Sequence, residues 1–230
     1  MKTVWGLLMP CTCKLLGSTT ARSLTGNGVR WRLSALLLLV AAPAAVALQS
    51  GDYTYSTNSN GQATITDFNS AYTGELSITN VLDGCSVVGI GTNAFASCPS
   101  LTDITIPESV KNIGNQAFIF CGNLTRVTIG SIVTNIGGQA FEACTKLTNA
   151  VIPASVITIG LRAFRLCSGL PAINVSGDNS AYSSADGVLF NKNRTKLIQY
   201  PGGKFGGYTI PESVTNIGYA AFQYCNGLTG

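Results

Sequence analysis

The chain has no histidine, and that absence alone removes Ser-His-Asp and Cys-His catalysis, HExxH metal sites and Cys2His2 zinc centres. Charge is scarce as well: 10% of residues are charged, against about a quarter in ordinary domains, while 46% are apolar. So apolar a chain is no disordered tail, and 230 residues are too many for a disulfide-stapled miniprotein. Acidic residues are missing altogether before Leu48, where Lys2, Lys14, Arg22, Arg30 and Arg32 stand. From Leu48 onward nine basic residues meet ten acidic ones. The basic balance of the whole chain therefore gives no ground for nucleic-acid binding in that part.

The unbalanced segment, residues 1–47, reads as a leader. Arg30-Trp31-Arg32 precede an apolar run from Leu33 to Leu48 and a small-residue Ala45-Val46-Ala47 cleavage site, the three parts of a secretory signal. The run is short for a membrane span, which needs ~20 apolar residues, and Pro43 interrupts it. An uncleaved N-terminal anchor is the alternative. The 29–47 stretch is a signal in itself, which raises a start at Val29 through a non-ATG codon; a transit peptide competes for the same acid-poor composition. Any precursor peptide from residues 3–28 would exclude the Val29 start.

What the chain has in abundance is repetition. Ile-Gly recurs at Ile90, Ile113, Ile136, Ile159 and Ile217, in three steps of 23 residues and one of 58, or 23 + 35. Ala-Phe follows each Ile-Gly at Phe95, Phe118, Phe141, Phe164 and Phe222; Cys follows at Cys98, Cys121, Cys144, Cys167 and Cys225. Leu101, Leu124, Leu147, Leu170 and Leu228 come next, and Ile106-Pro107, Ile152-Pro153 and Ile210-Pro211 close the unit. Each 23-residue unit is one coil of a solenoid, because no single unit can bury its apolar face and stacking neighbours must do so. Leu101-Thr-Asp-Ile104-Thr-Ile106 predicts a short strand with Thr outward, ended by Pro107. Ala117-Phe118 predict a short helical turn with Phe filling the core.

These residues resemble the BspA-like leucine-rich repeats of bacterial surface and secreted proteins. The pattern L-x-x-I-x-I-P-x-S-V-x-x-I-G-x-x-A-F-x-x-C is complete at Leu101–Cys121, and the resemblance covers 86–175 and 210–230. It implies a leucine-rich-repeat solenoid, mostly β, of short parallel strands. It also implies an exported, non-enzymatic adhesion or interaction module for a protein or an anionic glycan at the cell surface. Residues 48–85 read as an N-terminal β cap with a degenerate first coil at Leu76–Gly84, and 86–230 as the solenoid, with a hairpin insertion at 176–209. The chain stops at Leu228-Thr229-Gly230 in mid-repeat. Two expectations follow: a fragment of a larger secreted protein, or end-to-end self-association through an uncapped coil.

The five repeat cysteines should stack in one column. Strand spacing holds their Cβ atoms about 4.8 Å apart, wider than the ~3.8 Å of a disulfide, which favours buried unpaired thiols. Two surfaces are candidates for a partner. Thr102, Thr105, Thr125, Thr128 and Thr148 form a Thr-rich strand face with Arg126, which is either a recognition surface or simply a solvated sheet. The insertion concentrates Lys192, Arg194, Lys196 and Lys204, with Tyr200 among its aromatics; it is either an anion-binding patch or a hairpin packed on the solenoid. No cofactor, metal or catalytic residue is assigned, since Asp178 and Asp186 have nothing to place them in a pocket. Gly202-Gly203-Lys204 lacks the spacing of a phosphate loop.

Overall fold

The computed structural model describes residues 47–229. Apart from Ala47, the leader lies outside the described residues. The repeat folds as anticipated into a solenoid with two columns of strands. The first column begins as an antiparallel meander, Leu48–Ser50, Tyr53–Thr57 and Ala63–Phe68, with Tyr53 opposite Phe68. It then turns parallel and climbs through Cys85–Ile90, Asn112–Ile113, Asn135–Ile136 and Thr158–Ile159, one strand per coil, in register Ile90↔Ile113↔Ile136↔Ile159. The second column stacks Gly74–Ser77, Leu101–Thr105 and Arg126–Thr128 in parallel, with Leu76, Ile104 and Val127 in line. A bridge from Arg126 to Asn149 leads on to Ala150–Ile152 and Ile173–Val175.

The core lies between the two columns. Every repeat Ile, Leu and Phe from Phe95 to Leu170 points into it except at Ile129 and Ile159, which are half-buried. The phenylalanines form a continuous stack: Phe68–Phe95, Phe95–Phe118, Phe118–Phe141 and Phe141–Phe164 have ring centroids 4.8, 5.0, 5.3 and 5.5 Å apart. The repeat glycine is required by the closeness of the coils. A Cβ on Gly160 would fall 2.3 Å from the Gly138 nitrogen, and one on Gly137 2.5 Å from backbone of the coil before it.

One expectation is corrected. The Ala-Phe segments are not helical turns; no helix occurs among the described residues. Each turn places two residues in the left-handed region four positions apart, such as Gln116 (φ 57°) with Phe120 (φ 61°) and Gln139 (φ 57°) with Ala143 (φ 60°). That alternation aims every second N–H at the next coil instead of back along the turn. Phe95, Phe118 and Phe141 donate to the carbonyls of Ala117, Ala140 and Ala163, each at 2.8 Å. A helix would satisfy its own amides, whereas this turn depends on its neighbour.

All six cysteines among the described residues are buried, and the five of the repeat column, Cys98, Cys121, Cys144, Cys167 and Cys225, form no disulfide. In the repeat column the thiols donate down the solenoid: Cys121, Cys144 and Cys167 Sγ lie 3.1, 3.2 and 3.1 Å from the Phe carbonyl of the coil before.

Candidate functional site

The insertion is where the solenoid departs from uniformity. Near its start stands Asn179, wholly buried, whose amide nitrogen donates to the Pro153 and Val156 carbonyls at 2.7 and 2.9 Å. Its oxygen accepts from the Ala181 and Tyr182 amides, so one side chain pins the insertion to the fourth coil. Tyr182–Ala185, Val188–Asn191 and Lys196–Gln199 then form an antiparallel meander, with the Asp186-Gly187 turn between the first two. Here the packing alternative holds, because Val188, Phe190 and Leu197 are fully buried.

The returning strand is a coil in disguise. Lys196–Gln199 pairs in parallel with Asn216–Ile217, Leu197 opposite Ile217, as one Ile-Gly strand pairs with the next. Tyr200 takes the place of the stacked Phe. Its ring centroid is 5.4 Å from Phe222, its N–H donates to the Ala221 carbonyl at 2.8 Å, and its carbonyl faces Cys225 Sγ at 3.5 Å. Only three positions separate Leu197 from Tyr200, whereas five separate Ile from Phe in every regular coil. The fifth coil thus lacks the wide turn that its neighbours have. The core divides here, into a large cluster reaching Ile173 and Leu189 and a small one holding Phe190, Leu197, Tyr200, Ala221 and Cys225.

The missing turn leaves a notch of about 370 Å³ between the turns of the fourth coil and the one after the insertion. Ile159, Arg162 and Phe164 form one wall, Ile198 and Gln199 the back, and Tyr219 the far lip, with Lys196 at the edge. No carboxylate lines it. Leu161 and Tyr219 stand at the rim, 66% and 68% exposed. Two arginines span the gap: Arg162 Nη2 donates to Tyr219 Oη at 2.9 Å, and Arg165 reaches Gln223 Oε1 at 2.8 Å and Tyr224 Oη at 3.1 Å. Both guanidiniums lie over the tyrosine rings, 4.9 and 4.7 Å from the centroids.

The residues singled out from the sequence do not form one patch. Lys204 pairs with Asp186 at 2.9 Å, and Lys192 Nζ donates to the Asn179 and Gly177 carbonyls. Arg194 touches the Ser184 carbonyl at 3.4 Å and shares a shallow hollow with Lys192. Lys196 alone of the four lines the notch. Tyr200 is wholly buried, so its assignment to a partner surface is corrected: it fills the Phe slot of the fifth coil. On the strand face the hydroxyls of Thr125 and Thr148 donate to the carbonyls of Thr102 and Thr125 at 3.2 and 3.1 Å. Thr105 and Thr128 are exposed, and Arg126 lies 3.7 Å from Asp103. Tyr182, one of the insertion's aromatics, does line the notch, whereas Arg162 and Tyr219 carry no signal of their own in the sequence. The one available signal was the 35-residue excess between Ile159 and Ile217, which marks an altered coil without saying which residues face the break.

Residues 68–186 match the BspA-type leucine-rich repeat region in six copies, and the chain belongs to that family. Among solved structures, the pneumococcal vaccine antigen PcpA superposes with a TM-score of 0.54 at 21% identity. That match covers 77% of this chain, which spans 62% of the length of the PcpA structure. A leucine-rich repeat protein from Bacteroides capillosus gives a TM-score of 0.52 at 30% identity, over 57% of this chain and 99% of that one. No curated protein matches the chain significantly. Among the described residues no helix is long and apolar enough to cross a membrane.

Proposed function

We propose that the chain is an exported, non-enzymatic interaction module of a cell surface that binds an anionic glycan or an acidic protein face. The observation that supports this best is the notch. A uniform solenoid offers a uniform surface, and local specificity arises where the pattern breaks. At this break exposed apolar and aromatic groups meet Arg162 and Lys196 with no carboxylate among them. The Lys192 and Arg194 hollow beside it also lacks acidic lining. Export rests on the signal-like 29–47 segment and on the family's surface proteins. The test is retention of the purified protein on an alginate column under a salt gradient. Retention should fall steeply with salt, since exposed charges are screened over about 8 Å at physiological ionic strength. Replacing Lys192, Arg194, Lys196 and Lys204 together by Ser should bring elution forward; unchanged retention would return the assignment to the Thr-rich strand face.

A second reading, a repeat segment within a larger secreted assembly, draws on the last described coil. Ile210 and Ile217 are 38% and 53% exposed, whereas their counterparts Ile106 and Ile113 are buried. Such a face would accept a further coil or a second copy. Light scattering across protein concentration tests self-association, and a mass that stays monomeric throughout would discard it.

A further inference from the structure

The turn of the fourth coil differs from those before it in what its amides face. Gln116, Phe118 and Phe120 donate to the Gly138, Ala140 and Glu142 carbonyls at 2.8, 2.8 and 2.9 Å. Gln139, Phe141 and Ala143 donate in the same way to Leu161, Ala163 and Arg165 at 2.9, 2.8 and 2.9 Å. The corresponding groups of the fourth coil belong to Arg162, Phe164 and Leu166. None of the three meets an acceptor among the described residues, because the fifth coil has no turn to supply one. Arg162 and Phe164 line the notch, and the left-handed backbone of Arg162 (φ 61°) matches that of Gln116 and Gln139 in the ladder. The Arg162 side chain repeats the pattern: Nη2 is held by Tyr219, while Nε is buried with no partner. The Arg162 and Phe164 amides, left without a backbone acceptor on the wall of the notch, therefore offer two neighbouring donors to an acceptor brought in by a ligand.

The same notch also exposes acceptors. Thr134 and Ile136 carbonyls receive the Ile157 and Gly160 amides at 2.9 and 2.8 Å, but the equivalent carbonyls of Ile157 and Ile159 receive none. The Ile159 amide, which would complete that strand edge, is already occupied: it donates to Tyr182 Oη at 2.8 Å. An occupant must therefore bring an anionic acceptor for one wall and several donors for the other. It also needs an apolar flank to lie against Leu161 and Tyr219. The volume, about 370 Å³, falls at the small end of ligand clefts.

We infer that the notch binds one acidic sugar residue, a uronate, of an anionic polysaccharide. The carboxylate takes the Arg162 and Phe164 amides, in the manner of anion recognition by neighbouring backbone N–H groups, with the Arg162 guanidinium adding charge beside them. Ring hydroxyls donate to the Ile157 and Ile159 carbonyls, and the C–H face of the ring lies on Tyr219 and Leu161. Lys196 adds charge at the edge. This rests on the reading of the protein as a binder of anionic partners and names the site and sugar class. An acidic peptide also brings a carboxylate, but an extended backbone alternates N–H with carbonyl, and the edge amide its carbonyl would need is held by Tyr182.

The experiment is a titration of the ¹⁵N-labelled protein with trigalacturonate, following assigned backbone amides by NMR. The Arg162 and Phe164 signals should shift and saturate, and neutral galactotriose should leave them in place. Lys196→Gln should weaken binding by about fivefold, as loss of one exposed charge contact does, and the remote Lys146→Gln should not. Shifts confined to Ser176, Lys192 and Arg194, or to the Thr face, would overturn the notch while leaving the proposed function standing. Hexaglutamate saturating the same amides as tightly would overturn the sugar class. An absence of shifts with either probe, together with no retention on alginate, would overturn both.

Discussion

Arg165 and Glu142 form an ion pair between successive coils, and both are nearly out of solvent, with side chains 16% and 5% exposed. The pair belongs to a polar ladder along the turns. Gln116 donates to Gln139 at 3.3 Å, Gln139 donates to Glu142 at 2.8 Å, and Arg165 continues to Gln223 at 2.8 Å on the far side of the insertion. Arg165 thus ties together the two parts of a core that the shortened coil divides.

Removing one partner of a buried pair leaves a charge without compensation. Arg165→Met should therefore cost about 3–5 kcal/mol of unfolding free energy, and Glu142→Leu in the same chain should restore much of it. Urea denaturation of the two single variants and the double variant measures this. Additive losses in the double variant would show that the pair is not coupled.

Inside and outside can be separated along one coil. Phe141 stacks between Phe118 and Phe164 and is fully buried, so Phe141→Ala should cost about 3–5 kcal/mol. Thr148 is exposed, and its one side-chain hydrogen bond runs to the Thr125 carbonyl, so Thr148→Ala should cost about 0.5 kcal/mol or less. Similar denaturation midpoints for the two variants would contradict the burial pattern.

The period of 23, the inward Ile, Leu and Phe positions and the unpaired thiols were all legible in the residues, because a repeat states its own contacts many times over. The turn conformation was not. Ala-Phe after Gly suits a helical turn locally, and the left-handed pairs such as Gln116 and Phe120 follow only from hydrogen bonds to a neighbouring coil. The fifth coil was hidden for a related reason. Leu197-Ile-Gln-Tyr200 drops two positions of the pattern and replaces Phe with Tyr, so its equivalence appears only when Leu197 pairs with Ile217. The clustering of four cations within the insertion did not survive folding, since Lys204 turns to Asp186 and Lys192 to backbone carbonyls. Proximity in sequence carries no direction around a hairpin.

Tyr200 gives a test of that hidden coil. Its hydroxyl is buried without a hydrogen-bond partner, and a buried unsatisfied polar group is costly. Tyr200→Phe restores the repeat residue and removes the orphan, and should be neutral or stabilising by about 1 kcal/mol. Tyr200→Ala, by emptying the Phe slot, should cost about 3–5 kcal/mol. A clear loss of stability in Tyr200→Phe, read from urea midpoints, would mean that the hydroxyl has a role the packing does not show.

The cysteine column predicts an alkaline limit to stability. Burial pushes the Cys144 thiol up to about 12 and the Cys225 thiol up to about 11, and burial also raises Cys167. An unfolded thiol ionises near pH ~8.5. Below that pH both states keep their protons, so the stability from these thiols is fully present. Above it the unfolded chain loses protons first, and stability falls by up to about 1.4 kcal/mol per pH unit for each buried thiol. The fall continues until pH passes the folded values, so the window opens near pH ~8.5 and closes for Cys225 and Cys144 near 11 and 12. Cys144→Ala should lower stability at pH 7 yet show a shallower decline between pH 9 and 11, measured by urea unfolding at each pH. An unchanged slope would show that Cys144 contributes nothing to the alkaline transition. As a companion measurement, native protein at pH 8 should resist alkylation by iodoacetamide at these three thiols, because a neutral, buried sulfur is a poor nucleophile, and should react once urea unfolds it.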